Sequence, residues 1–85
     1  MEPTELEARL ITLVEQACGV PFQDTGCGVE SDLLKKGVLD SMALVTLLLQ
    51  AGETFGVAFE DDDMMNPAIT TIAGLASLID ARQGN

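Results

Sequence analysis

The stretch from Asp40 to Gly56, DSMALVTLLLQAGETFG, constrains the fold more than any other part of the chain. Two residue types that favour helix N-caps open it, apolar side chains recur at helical spacing, and a glycine closes it. This predicts a helix that starts at Asp40 or Ser41 and reaches Phe55. At about 100° per residue, Leu44, Leu47, Leu48, Ala51 and Phe55 share one face, which is the expected core face. Met42, Val45 and Leu49 fall together on a different flank. A helix apolar on two sides is either buried or offers its second stripe to another molecule. Full burial is hard to arrange in a chain of 85 residues. The second stripe is therefore expected to be a partner-binding face.

The rest of the chain supplies partners for that helix. Its only aromatic residues are three Phe, so the core is aliphatic and suits helices better than a β-sandwich. Thr4-Glu5-Leu6-Glu7 has the form of a capping box. Leu6, Leu10, Leu13, Val14 and Ala17 follow at helical spacing until Gly19 and Pro21 stop them, which predicts a first helix over residues 4–18. Residues 19–39 form a long connection. Phe22, Val29, Leu33, Leu34, Val38 and Leu39 are spaced through it, so it should lie on the helices, with a short turn at 31–35 and Lys35-Lys36 as a solvated tip. AFEDDDMMNP predicts a short acidic turn or helix ended by Asn66-Pro67. Thr70 or Thr71 caps a last helix with Ile72, Leu75, Ala76 and Ile79 on one face, fraying at residues 83–85. The expected fold is all-α: a small four-helix bundle of three main helices and one short one, with a long first loop, as a single domain over residues 1–85.

Composition excludes several functions. The net charge is −10, which repels nucleic acid and anionic lipid and favours a partner with a basic patch. The longest apolar run, residues 42–49, is far short of the ~20 residues a membrane span needs. No basic segment opens the chain as in an export signal, which points to a cytoplasmic protein with Cys18 and Cys27 reduced. These two cysteines, in a chain without histidine, make a poor metal site. The acidic run 60–63 fails as an EF-hand: counting from Asp61, the sixth position is Asn66 and the twelfth Ile72. A solvated acidic helix start is expected instead. As a nucleophile Ser41 lacks a base, since Asp40 is too weak and there is no histidine, no G-x-S-x-G elbow and no S-x-x-K pair. On residue type alone Ser41 is an N-cap.

SDLLKKGVLDSM, the Phe55-Gly56 helix end and AITTIAGLASLI occur in an order and at spacings that span nearly the whole chain. Together they resemble the acyl carrier proteins and their relatives, the D-alanyl and peptidyl carrier proteins. The resemblance implies that the protein is not an enzyme. It implies that a phosphopantetheinyl transferase modifies Ser41 with a phosphopantetheine arm taken from coenzyme A, and that cargo rides on the arm as a thioester. By the same resemblance Asp40 contacts Mg²⁺ during modification, Met42, Val45 and Leu49 meet partner enzymes, and Ile69 lines a cleft for an acyl chain. An exposed hydroxyl at a helix N-terminus is a favourable place for a phosphate.

The second helix departs from the bulk fatty-acid carriers, which stud it with acids; after Asp40 it holds only Glu53. This leans towards a carrier dedicated to a specialised pathway, loaded by an acyl or aminoacyl ligase and serving downstream synthases or transferases; because the chain starts and ends within the domain, it is also expected to be free-standing, and a monomer is expected. A D-alanyl, aminoacyl or peptidyl carrier loaded by an adenylating ligase is the alternative within the family. Outside it, the alternative is an unmodified helical adaptor that uses the Met42/Val45/Leu49 stripe for docking alone.

Overall fold

The computed structural model describes residues 4–83; the expected fraying at 84–85 and the opening residues 1–3 lie outside them. The helices are α1 (Glu5–Cys18), α2 (Ser41–Phe55), α3 (Asp61–Met64) and α4 (Ile72–Gln83), with 3₁₀ turns at Phe22–Thr25 and Pro67–Thr70. There is no strand among the described residues.

α1 starts where its sequence says it must. Thr4 Oγ1 accepts from the Glu7 N–H at 3.1 Å and Glu7 Oε1 accepts from the Thr4 N–H at 2.9 Å, so each residue satisfies a donor the helix start leaves open. Gly19, at φ 80°, ends it in the left-handed region. Leu10 and Val14 are fully buried against α2 and α4. α2 contributes Leu44, Leu47, Leu48, Ala51 and Phe55 to the same core, and α4 contributes Ile72, Leu75, Ala76 and Ile79. Truncating a side chain as buried as Leu47 to Ala costs about 2–5 kcal/mol.

The long connection does lie on the helices, though not with every expected residue. Phe22, Leu33 and Leu39 are buried, whereas Leu34 is 38% exposed. Backbone bonds stitch the loop to the last helix and the turn before it: the Leu33 N–H donates to Thr70 O at 2.9 Å and the Ala73 N–H to Val29 O at 2.8 Å. Between them Asp32 Oδ1 accepts from the N–H groups of Leu34 and Lys35. Those bonds, the Lys35 one foremost, hold its carboxyl below the usual range. The expected short turn is present here, with Lys35 and Lys36 exposed at its tip.

The expected fraying at Gln83 does not occur. Gln83 Nε2 donates to Phe55 O at 2.8 Å, where α2 has carbonyls without helical partners. Over the Phe55 ring the Arg9 guanidinium sits 4.9 Å from the centroid, within cation–π range. The last turn of α4 is thus tied to the end of α2.

The acidic run also needs a correction. Glu60, Asp61 and Asp62 are exposed as expected, but Asp63 is only 5% exposed. Its Oδ2 accepts from the Glu60 N–H at 2.8 Å and its Oδ1 pairs with Arg82 Nη2 at 2.5 Å. One carboxylate thereby starts α3 and anchors it to α4, as a buried charge requires.

Candidate functional site

The geometry of Asp40 and Ser41 resolves which of the two caps α2. Asp40 is the N-cap, and its Oδ1 accepts from the Ala43 N–H at 2.7 Å. The Asp40 carbonyl also accepts from the Leu44 N–H at 2.9 Å. Ser41 is therefore the first residue inside the helix and is released from capping, contrary to its reading as an N-cap. Its side chain is exposed, and no group among the described residues hydrogen-bonds its Oγ. The result is a free hydroxyl on the outer rim of a helix N-terminus, held in place by the carboxylate before it.

The first turn leaves the N–H groups of Ser41 and Met42 without partners among the described residues. They add to the positive end of the helix dipole, which favours a phosphate on the neighbouring hydroxyl. No basic side chain of α2 competes for that charge. The site thus fits a covalently attached phosphodiester: an accessible oxygen to bear it, and backbone dipole to meet it. Asp40 is exposed, so the carboxylate that caps Ala43 remains open to a hard cation from solvent.

The flank beyond Ser41 is exposed as expected: Met42 is 81%, Val45 43% and Leu49 66% accessible. Val45 and Leu49 each follow a buried leucine, so the two apolar stripes separate as their angular positions require. Ile69 lies elsewhere. It sits in the Pro67–Thr70 turn, 5% exposed and packed in the core.

A cleft of about 490 Å³, not among the expectations from sequence, lies between the second half of α2, residues 57–59 and α3. Ile69 does not line it. Two signals for it existed: Gly52 inside a helix, and the spacing of Val57 and Phe59 just after it. A Cβ on Gly52 would lie 2.7 Å from Val57 O, so the glycine lets the chain fold back closely enough to form the far wall.

Cys18 and Cys27 are free and half-buried, with their thiols directed at the carbonyls of Val20 and Thr25. No group of three or more metal-ligating side chains occurs among the described residues, and none of the described helices is long and apolar enough to cross a membrane.

The chain matches the family described as the phosphopantetheine attachment site over residues 8–79. No curated protein and no solved structure matches it. With most of its length covered, the chain belongs to the phosphopantetheine attachment site family. It is accordingly a carrier of a covalent phosphopantetheine group and not itself an enzyme. Its partners include a phosphopantetheinyl transferase and enzymes that act on the arm.

Proposed function

We propose that this carrier bears its arm on Ser41 and shuttles acyl or aminoacyl groups between enzymes of a specialised biosynthetic pathway in the cytoplasm. The observation that carries the assignment is the division of labour at the start of α2. Asp40 takes the capping bond, and the Ser41 hydroxyl stands exposed and unbonded at the helix N-terminus. When the arm is bound, its terminal thiol supplies a thioester linkage for cargo. The chain's own part is to present the oxygen, to meet the phosphodiester with backbone dipole, and to offer the transferase an Asp40 carboxylate for Mg²⁺.

The Met42, Val45 and Leu49 flank is the surface partners grip, because it begins one residue from the attachment oxygen and is open along its length. A ligase that docks there reaches the arm without disturbing the core face of α2. Residues 1–85 work as a single carrier unit. Aminoacyl cargo loaded by an adenylating ligase is compatible with the same geometry.

Intact mass tests the assignment. Incubation with coenzyme A, Mg²⁺ and a broad-specificity transferase adds one phosphopantetheine, and Ser41→Ala abolishes the addition while Ser31→Ala and Ser77→Ala do not. An unmodified chain would favour the adaptor reading, and an arm mapped to Ser31 or Ser77 would overturn the choice of serine.

A further inference from the structure

We infer that Asp32 is a positioning residue for arm transfer: through the turn it caps, it fixes how the chain enters α2 and so where the Ser41 hydroxyl stands. The inference rests on Ser41 as the attachment serine. Asp32 Oδ1 accepts from the N–H groups of Leu34 and Lys35 at 3.0 and 2.9 Å, and the Asp32 carbonyl accepts from the Lys36 N–H at 3.0 Å. Asp32 thus opens a single helical turn in the manner of an N-cap. The far end of the turn closes as a Schellman reversal. The Gly37 N–H donates to Leu34 O at 3.2 Å and the Val38 N–H to Leu33 O at 3.0 Å. Gly37, at φ 76°, supplies the left-handed residue that this reversal needs.

Leu33 is the fixed point of this turn. It is 2% exposed, and its N–H is held by Thr70 O. Its carbonyl accepts a second time, from the Leu39 N–H at 3.2 Å, and Leu39 is equally buried. The next residue is the Asp40 cap. The path from carboxylate to hydroxyl is therefore continuous: Asp32 orders the turn, the turn aims Leu33 O, Leu33 O holds Leu39, and Asp40 and Ser41 follow. Asp40 and Ser41 are themselves exposed, and helix ends are where a fold opens most readily. Rate depends on that geometry. In the transfer Ser41 Oγ bonds to the pantetheine-side phosphorus of coenzyme A, the bridging P–O bond breaks, adenosine bisphosphate leaves and the hydroxyl proton passes to solvent. Reacting atoms need to approach within about 3–3.5 Å, and a displacement of about 1 Å can cost about a hundredfold.

The test measures single-turnover arm transfer to the unmodified protein, with coenzyme A, Mg²⁺ and increasing amounts of a broad-specificity transferase. Asp32→Ala should lower the saturated rate by at least about tenfold, within that scale, and leave the half-saturating transferase concentration unchanged. Asp32→Asn keeps an Oδ1 acceptor and should restore the wild-type rate, since Asn caps as well as Asp. Ser31→Ala loses only the neighbouring bond from the Gly28 N–H and should transfer like the wild type. A second readout needs no enzyme. In ¹⁵N spectra Asp32→Ala should shift the amides of Leu39, Ser41 and Met42, far along the chain from the substitution, and leave those of Leu10 and Val14 in place. Should Asp32→Ala not fold, Gly37→Ala strains the same turn from its other end and takes its place. A wild-type saturated rate with only a lower melting temperature would overturn the inference, because Asp32 would then serve stability alone. So would a change confined to the half-saturating concentration, which marks a docking contact, or an Asp32→Asn variant as slow as Asp32→Ala. An arm mapped to another serine in the wild type sinks the choice of Ser41, whereas the amide shifts report the entry to α2 with no arm attached, so the two readings fail separately.

Discussion

Replacing Gly74 by alanine sets two known effects against each other. In an unobstructed helix interior the change gains about 0.5–1 kcal/mol, because glycine loses more backbone freedom on folding. Gly74, however, lies in the first turn of α4, where its N–H donates to Thr71 Oγ1 at 2.9 Å. Here α4 passes against the Pro67–Thr70 turn. A Cβ on Gly74 would penetrate the Ala68 carbonyl oxygen and come within 2.8 Å of both Ala68 Cβ and Thr71 Oγ1. Backbone cannot swing aside as a flexible side chain can, so the turn or the helix start must shift. Overpacking of this kind costs about 1–3 kcal/mol, and disturbing the Thr71 cap adds about 1 kcal/mol. The clash wins, for a net loss of about 1–3 kcal/mol. In a domain of this size that lowers the melting temperature by about 5–15 °C. A thermal melt followed by circular dichroism measures it, with the exposed Ser77→Ala on the same helix as a control expected to stay within about 0.5 kcal/mol. If Gly74→Ala melts at or above the wild-type temperature, the close approach of α4 to the turn is not a constraint and the reasoning fails.

Asp63 sets an acid dependence: the Glu60 N–H it accepts, and then Arg82, hold its carboxyl below the usual range. A depressed carboxyl contributes stability above its unfolded pKa of ~3.9 and loses it as pH falls through the folded value. The melting-temperature gap between wild type and Asp63→Asn should therefore be widest near neutrality and close below about pH 4; a gap unchanged at low pH would contradict the pairing. Moderate salt or millimolar Mg²⁺ should raise the wild-type melting temperature, since a charge of −10 repels itself and screening acts over ~10 Å at 0.1 M. Val45→Glu should slow loading by the cognate ligase while melting like the wild type, because Val45 is 43% exposed; an unfolded variant would make that stripe structural.

The sequence revealed what depends on near neighbours. The Thr4/Glu7 box, the Gly19 and Gly56 stops and the core stripe of α2 are set within a few residues, and each is where periodicity and capping chemistry put it. Asp40 and Ser41 are both good caps by residue type, and only the backbone geometry awards the bond to Asp40. What stayed hidden joins distant positions. Asp63 looks like the acids before it until Arg82, nineteen residues on, supplies a partner. Gln83 looks like a loose end until Phe55 O accepts from it. The cleft was hidden for the same reason, since its walls come from two separate segments and meet only because Gly52 admits Val57.

The tie between Asp63 and Arg82 holds one wall of that cleft in place. α3 is a single turn of four residues, too short to persist on its own, since helix formation has a costly nucleus. The bonds Asp63 makes to Glu60 and Arg82 therefore carry much of the ordering of that wall. Local opening of such a segment costs less free energy than global unfolding. Opening confined to that wall would leave the Leu10, Val14 and Leu47 core in place.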